Sequence, residues 1–514
     1  MLKRWLVSYP NNADKEILRN GFTHGFKLGY TGARRPRDSP CLPSAQRNVL
    51  ATLRKIQSEI SLGRMAGPFT KRPLATLQCS PIGLVPKRMP GEFRLITHLS
   101  FPAGSSINDG ISKDECSVQY ASFDTAVALV QAAGMGALMS KCDIKSAFRI
   151  LPVYPGDFDL LGFIFQNHFY IDKCLPMGAS ISCSHFERFS SFLEYRIKLI
   201  ASTNWVTHYL DDFFLVSVPS QSLGQRLLDT FKGMCNELGV PLAREKTMGP
   251  STRITYLGLD IDSVQQLVKV PRDKVNALES LLIQARSATF MSLKSIQSLL
   301  GSLNFVCRAI SPGRAFMRRL NALVVGAHDN VPIRIGRGAK HDIDMWLQFL
   351  HDYNGTTIFL EKDWITNSTL ELYTDAAGSI GFGAFFKGKW TQGIWPSWVK
   401  AINPSIAFME LFPIVIAVEL WGGLMANKRV KFWTDNQSVV AIVNRQTSKC
   451  PHIMSLVRKL VLAALHANIQ FKAAYVEGTL NGISDALSRF QTQRFRQLAP
   501  RADHRMTPPP DWAC

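Results

Sequence analysis

Several absences narrow the field. The ten cysteines (Cys41, Cys79, Cys116, Cys142, Cys174, Cys183, Cys235, Cys307, Cys450 and Cys514) form no CxxC pair and no Cys/His spacing suited to zinc. That excludes a zinc-finger or disulfide scaffold and leads us to expect reduced, mostly buried thiols in an intracellular protein, cytoplasmic or nuclear. The first residues, Met1-Leu2-Lys3-Arg4-Trp5-Leu6, lack the apolar stretch of a signal peptide. The longest apolar run, Ile406 to Met425, contains Glu410 and Glu419. A carboxylate near a bilayer centre costs about 2.5 kcal/mol or more, so this run reads as a buried helix and no membrane partner is expected. There is no internal repeat. Acidic residues are scarce, 39 Asp and Glu against 59 Lys and Arg, giving a formal net charge of +20. Such a surplus suits a polyanion, most often nucleic acid.

At 514 residues the chain is too long for one core and suggests roughly three to five structural units. Hydrophobic residues make up 46%, ample for burial. Half of the positive surplus lies early, with 14 Lys and Arg against 4 Asp and Glu in residues 1–75. Residues 1–44, centred on Gly32-Ala33-Arg34-Arg35-Pro36-Arg37, read as an irregular basic arm. The basic, Pro-rich residues 490–514 read as a disordered tail.

The organising stretch is Trp205-Val206-Thr207-His208-Tyr209-Leu210-Asp211-Asp212-Phe213-Phe214-Leu215-Val216. Two β-rich apolar runs flank adjacent carboxylates, which predicts a hairpin with both aspartates at its turn. Neighbouring like charges repel, and a bound divalent cation reverses that penalty. Hard oxygen ligands suit Mg²⁺; a solvated Asp-Asp turn is the competing reading. Ala137–Asp143 reads as a strand ending on a carboxylate, a position where sheets often carry chemistry. Asp143 lies 68 residues before Asp211, and the interval holds a hairpin at Phe158–Tyr170 and a helix from Ser182 to Ser202. Three converging carboxylates around two metal ions would activate a primer 3′-hydroxyl and steady the leaving pyrophosphate. Upstream, Ser80 to Ile96 predicts a hairpin with Lys87, Arg88 and Arg94 near its tip. Such a hairpin is either a solvated cationic loop or a triphosphate clamp.

The last third changes rhythm, with an expected order βββαβααβα. A first strand ends in Tyr373-Thr374-Asp375, Glu410 sits on the apolar helix, and Asp435 closes the fourth strand. Asn481-Gly482-Ile483-Ser484-Asp485 opens the last helix. Glu410 is the most telling, because an unpaired buried carboxylate is expensive and wants a partner. Four such carboxylates again suit two Mg²⁺ ions; helix capping is the rival role for Asp485.

Together these motifs, over residues 45–489, resemble the reverse transcriptase family. Asp143 matches its first catalytic motif and Tyr209-Leu210-Asp211-Asp212 its YxDD box. Leu175-Pro176-Met177-Gly178 resembles the LPQG-type loop, with Met177 where Gln is common. The resemblance implies nucleotide-binding roles for Lys87, Arg94, Phe148 (a steric gate), Met177, Gly178 and Lys246, and a primer grip at Tyr256-Leu257-Gly258. The last domain resembles retroelement ribonuclease H, implying an acidic tetrad of Asp375, Glu410, Asp435 and Asp485. It departs from many such enzymes in having no His between Val476 and Gly482.

The implied fold is α+β and multidomain: a right-hand polymerase of fingers, palm and thumb, then a connection and an RNase H-like α/β domain. The expected bounds are 45–262 for fingers and palm, 263–324 for a thumb-like helical region, 325–368 for the connection and 369–489 for the RNase H-like domain. The resemblance implies two Mg²⁺ per site, with Mn²⁺ as a substitute, and RNA template, DNA primer, RNA–DNA hybrid and dNTPs as partners. Glu245-Lys246-Thr247 and Pro312-Gly313-Arg314-Ala315-Phe316 are similar to DIRS-type retrotransposons. No Asp-Ser/Thr-Gly protease motif occurs, and a recombinase or integrase is expected on a separate product. A decayed or domesticated copy that binds nucleic acid without catalysis is the alternative.

Overall fold

In the computed structural model, which describes residues 1–87, 91–353, 356–358, 363–477 and 481–514, the chain divides after Leu257 into two units. The first opens with α1 (Leu2–Leu6), α2 (Asn12–His24), α3 (Pro43–Arg47), α4 (Val49–Ser61) and β1 (Met65–Phe69). A hairpin of β2 (Ile82–Pro86) and β3 (Phe93–Thr97), then α5 (Lys113–Cys116) and α6 (Phe123–Ala133), lead to β4 (Leu138–Asp143). The rest is β5 (Gly162–Phe165), β6 (His168–Asp172), α7 (Ser182–Ile200), β7 (Val206–Tyr209), β8 (Asp212–Ser217), α8 (Gln221–Glu237), β9 (Met248–Ser251) and β10 (Arg253–Tyr256).

The central sheet has the order β7-β8-β4-β9. Phe213, Phe214, Leu215 and Val216 on β8 are at most 1% exposed, so both faces of this strand are covered. Helix α7 buries Phe186, Phe189, Phe192, Leu193 and Ile197, a helical three-to-four spacing that lays one apolar stripe on the sheet. Each such side chain withdrawn from water contributes about 1.5–3 kcal/mol.

Residues 1–44 are not the irregular arm expected. Leu6, Leu18, Phe26 and Leu28 belong to the same core as Phe213 and Leu215. The Asn11 side chain caps α2, accepting from the Asp14 amide at 3.1 Å. Arg34 is ion-paired to Asp157 and Asp159. Lys3, Arg4 and Arg19 stay exposed; their charge obscured short apolar spacings that fold inward.

The second unit begins with β11 (Leu259–Asp262), β12 (Leu267–Lys269), α9 (Arg272–Ser287), β13 (Phe290–Met291), α10 (Leu293–Val306) and α11 (Arg318–Ala322). Then come β14 (Ile333–Arg334), α12 (Arg337–Tyr353), β15 (Thr356–Ile358) and α13 (Asn367–Leu370). An antiparallel meander of β16 (Leu372–Ala377), β17 (Gly381–Phe386) and β18 (Lys389–Ile394) precedes α14 (Ser397–Ala401) and α15 (Ile406–Trp421). The unit closes with β19 (Arg429–Thr434), α16 (Gln437–Arg445), α17 (Pro451–His466), β20 (Gln470–Tyr475), α18 (Gly482–Ser488) and α19 (Thr492–Leu498). Strand β20 lies parallel to β19, which runs beside β16. The expected order thus gains one short helix, α14.

Ile406–Met425 is long and apolar enough to cross a membrane by length and composition, and most of it is buried inside the unit. The tail is also ordered, contrary to expectation. Phe495, Ala499 and Ala502 share a core with Phe385 and Leu487. The Trp512 indole donates to Glu419 at 2.7 Å and packs on Phe412 with centroids 5.1 Å apart. Spaced aromatics anchor the segment that its prolines and charges had marked as disordered.

Candidate active sites

Strands β4 and β8 pair so that Asp143 stands directly opposite Asp212; directly opposed Cα atoms in antiparallel strands lie about 4.5–5.5 Å apart. The β7–β8 turn is made by Leu210 and Asp211 between Tyr209 and Asp212. Leu210 has φ 52°, a left-handed conformation that costs a non-glycine residue roughly 1–2 kcal/mol. The Ile144 amide donates to the Asp211 carbonyl at 3.0 Å, fastening the turn to the end of β4.

Electrostatically the three aspartates are one cluster. Burial, and then the charge of Asp143, push the Asp211 carboxyl above its ordinary range, while Lys246 and Arg94 pull it back. Burial raises Asp212 to about 6; Lys141 opposes that rise, and Asp143 and Asp211 add to it. The Oδ1 atom of Asp212 is buried without a hydrogen-bond partner. The Lys246 ammonium donates to Asp143 Oδ2 at 2.8 Å.

The other expected residues divide. Arg94, opposite Val85 in the β2–β3 hairpin, acts electrostatically on Asp211. Lys87 instead pairs with Glu92 at 3.2 Å across the hairpin, and Arg88 lies outside the described residues. Phe148 is half-buried, edge-on to Phe186 with centroids 5.5 Å apart. Met177 is half-buried and Gly178 exposed. Gly178 has φ +125°, and a Cβ there would meet the Thr97 carbonyl oxygen at 2.3 Å, so glycine is required. Tyr256 is buried, stacks on Phe214 at 4.5 Å and donates its hydroxyl to the Asp212 carbonyl at 3.3 Å. Leu257 closes the first unit, and Gly258, accepting from Lys274 Nζ at 3.0 Å, opens the second.

Two supports escaped the sequence reading. Asn108 donates to the Gly178 carbonyl at 2.8 Å and accepts from the Ser180 amide at 2.9 Å, holding the loop from both sides. His208, 5% exposed, lies between Glu194 (Nδ1 to Oε2, 2.5 Å) and Glu187 (Nε2 to Oε1, 3.1 Å). Burial disfavours its charge, but the hydrogen bonds to Glu187 and Glu194 outweigh burial and raise it to about 9. The seven-residue spacing of Glu187 and Glu194, which sets both on one face of α7, was the available signal.

In the second unit Asp375 on β16 is buried and accepts from Ser488 Oγ at 2.6 Å. Asn481 Nδ2 donates to the Thr374 carbonyl at 2.8 Å, which ties the start of α18 to β16. Burial raises Asp375; Ser488 opposes the rise, and Asp485 and Asp435 add to it. Burial, then Asp375 and Asp435, push Glu410 up to about 9. Asp375 therefore senses Asp435 and Asp485, and Glu410 senses Asp375 and Asp435. Asp485 differs: burial would raise it, but hydrogen bonds from Arg489 (2.7 Å) and Arg494 (2.6 Å) hold it below the usual range. Of the stretch Val476 to Gly482 that lacks a His, residues 478–480 lie outside those described.

Among the described residues no three of His, Cys, Asp and Glu form a ready-made metal cage. The donor chemistry still fits hard divalent cations: both clusters are oxygen-only, burial and neighbouring carboxylates raise Asp211, Asp212, Asp375 and Glu410, and one buried carboxylate oxygen is unpartnered. Mg²⁺ is commonly held by one or two carboxylates with water or phosphate completing the shell.

Such an acid-bearing antiparallel sheet, with a second α/β unit after it, defines a polymerase fold with an additional domain. The comparisons agree. Residues 85–261 match the family model "Reverse transcriptase (RNA-dependent DNA polymerase)", so the chain carries a reverse transcriptase domain, of a divalent-metal-dependent family. Over 167 residues, 32% of this chain, it is 29% identical to Protein P of duck hepatitis B virus (strain China). That match spans 20% of the viral protein's length. Among solved structures, a foamy viral protease-reverse transcriptase in complex with double-stranded DNA superposes with TM-score 0.52 at 15% identity, covering 92% of this chain and 81% of that one. Another, in complex with RNA/DNA hybrid, gives TM-score 0.50 at 14% identity, covering 92% and 62%. At these identities the likeness is one of fold.

Proposed function

We propose that the chain is an RNA- and DNA-directed DNA polymerase of a retrotransposon, of the DIRS type, with a nuclease unit that cleaves the RNA of RNA–DNA hybrids. In this reading residues 45–262 are fingers and palm, 263–324 a thumb, 325–368 a connection and 369–489 an RNase H-like domain. Two Mg²⁺ ions per site, bound by Asp143, Asp211 and Asp212 and by Asp375, Glu410, Asp435 and Asp485, would supply charge for phosphoryl transfer. The protein's own part is positional. Arg94 and Lys246 supply positive charge beside Asp211, where a triphosphate's charge would be neutralised. Gly178, held by Asn108, lets its loop approach closely, and Phe148 would exclude a ribose 2′-hydroxyl. RNA template, DNA primer and dNTPs are the proposed substrates, within the cell.

The observation that carries the reading is the register of Asp143 against Asp212 beside Asp211, inside the matched domain. A second reading, nucleic-acid binding without catalysis, draws on the ion pairs that already engage Asp143 (Lys246) and Asp485 (Arg489, Arg494). Parallel assays of primer extension and hybrid cleavage separate the two. Under the catalytic reading Asp211→Asn abolishes extension alone and Asp435→Asn abolishes cleavage alone, while hybrid binding survives in both. Wild-type chain that binds hybrid yet does neither reaction with Mg²⁺ or Mn²⁺ supports the second.

A further inference from the structure

Strand β19 alternates. Val430, Phe432 and Thr434 are buried, whereas Arg429, Lys431 and Trp433 are half-buried on the opposite face. Asp435 follows Trp433 by two residues, in the bend just past the end of β19. The parallel register sets Gln470, Lys472 and Ala474 of β20 beside Arg429, Lys431 and Trp433, so the face continues onto the neighbouring strand. Among the described residues no carboxylate pairs with Lys431 or Lys472, and exposed Asp363 next to Trp364 pairs with neither. Instead each ammonium lies over an indole: Lys431 over Trp433 at 5.1 Å and Lys472 over Trp364 at 4.2 Å.

Some of the chain's cations find acids, as Lys246 finds Asp143 and Arg494 finds Asp485; Lys431 and Lys472 are instead positioned by indole rings. Two ammonium groups held in fixed positions on aromatic rings keep their full charge free for an external anion. Neither β19 nor β20 contains an acidic residue, so the charges on the two strands are of one sign. Lys431 and Lys472 stand side by side across the strand pair, with Arg429 about 7 Å further along β19, and positive charges spaced in this way match a repeating anion better than a single small one. An acidic protein would match the charge, but β19 leads into Asp435 of the nuclease-type acid cluster, which favours the sugar–phosphate backbone.

We propose that Lys431, Lys472, Trp364 and Trp433 form a nucleic-acid track on the second unit, which holds one strand of a hybrid leading to Asp435. The inference rests on the nuclease reading for its ligand, and the test separates the two. The full chain is compared with Lys431→Ala/Lys472→Ala, measuring hybrid cleavage against salt, primer extension, and photo-adducts from a hybrid carrying 5-iodouridine. The variant should raise KM for cleavage roughly tenfold and reduce the salt slope of log binding by about 1–2, as expected for two lost phosphate contacts. Its kcat and its primer extension should be unchanged, and wild-type adducts should map to Trp433 or Trp364. Adducts there without any cleavage would overturn the nuclease reading and leave the track standing. Unchanged KM and salt slope, with no adducts on this face, would overturn the track. So would a change in sedimentation of Lys431→Glu/Lys472→Glu with hybrid binding intact, since the face would then be a protein interface.

Discussion

Replacing His208 with Gln tests how the carboxylate hairpin is held in place. The imidazolium hydrogen-bonds two glutamates of α7, one at 2.5 Å, from a position 5% exposed. Gln cannot serve both as a charged donor, so at least one buried carboxylate loses its counter-charge. Removing one partner of a buried ion pair costs about 3–5 kcal/mol, a large part of the roughly 5–15 kcal/mol that typically stabilises a fold. In a unit of this size about 2–4 °C is lost per kcal/mol, so the melting temperature of the first unit should drop by roughly 10 °C. The pH dependence has a definite sign. His208 binds its proton more tightly folded, at about 9, than its ordinary 6.5, so its contribution is complete below about 6.5 and disappears as pH rises through 9. Thermal unfolding of both proteins between pH 6 and 9.5 should therefore show a gap that is widest at the acid end and narrows towards pH 9. A variant melting within a degree of wild type at pH 7, or a gap independent of pH, would refute the clamp.

Three further outcomes are expected. Glu410 keeps its proton to about 9 when folded against 4.5 ordinarily, so without metal the second unit loses stability as pH rises between those values. Glu410→Gln should melt above wild type at pH 8, equal it near pH 4, lose hybrid cleavage, and no longer be stabilised by added Mg²⁺. Gly178→Ala drives a Cβ against the Thr97 carbonyl at a φ that alanine resists, so primer extension should fall at least about tenfold while circular dichroism is unchanged. Trp512→Ala removes an indole bond to Glu419 and contacts with Phe412 and Lys459 and should destabilise the second unit by about 1–3 kcal/mol in chemical denaturation; a disordered tail would give no change.

Much of the site was legible because its signals are local. The bounds of β19 and α16 follow directly from alternation into helical spacing around Thr434-Asp435-Asn436. Asp211 and Asp212 were visible as charges between two apolar runs. What stayed hidden depends on contacts distant in sequence. His208 reads as one polar residue in a strand until α7 brings Glu187 and Glu194 against it. Asn108 sits in an ordinary polar loop, and only the fold carries it to Gly178. Lys87 was legible as a cation on a hairpin, but its preference for Glu92 was not. The two chain ends were misjudged for one reason: composition reports average solubility, while Leu18, Phe26, Phe495 and Trp512 act individually.

Because β4 is paired on both edges, with β8 and β9, its side chains cannot be re-indexed one at a time. A single-residue insertion or deletion within Leu138–Asp143 would rotate Asp143 to the opposite side of the pleat and bring a neighbour into line with Asp212. Related chains are thus free to drift here by replacement but not by changes in length, which belong in the loops that flank this strand.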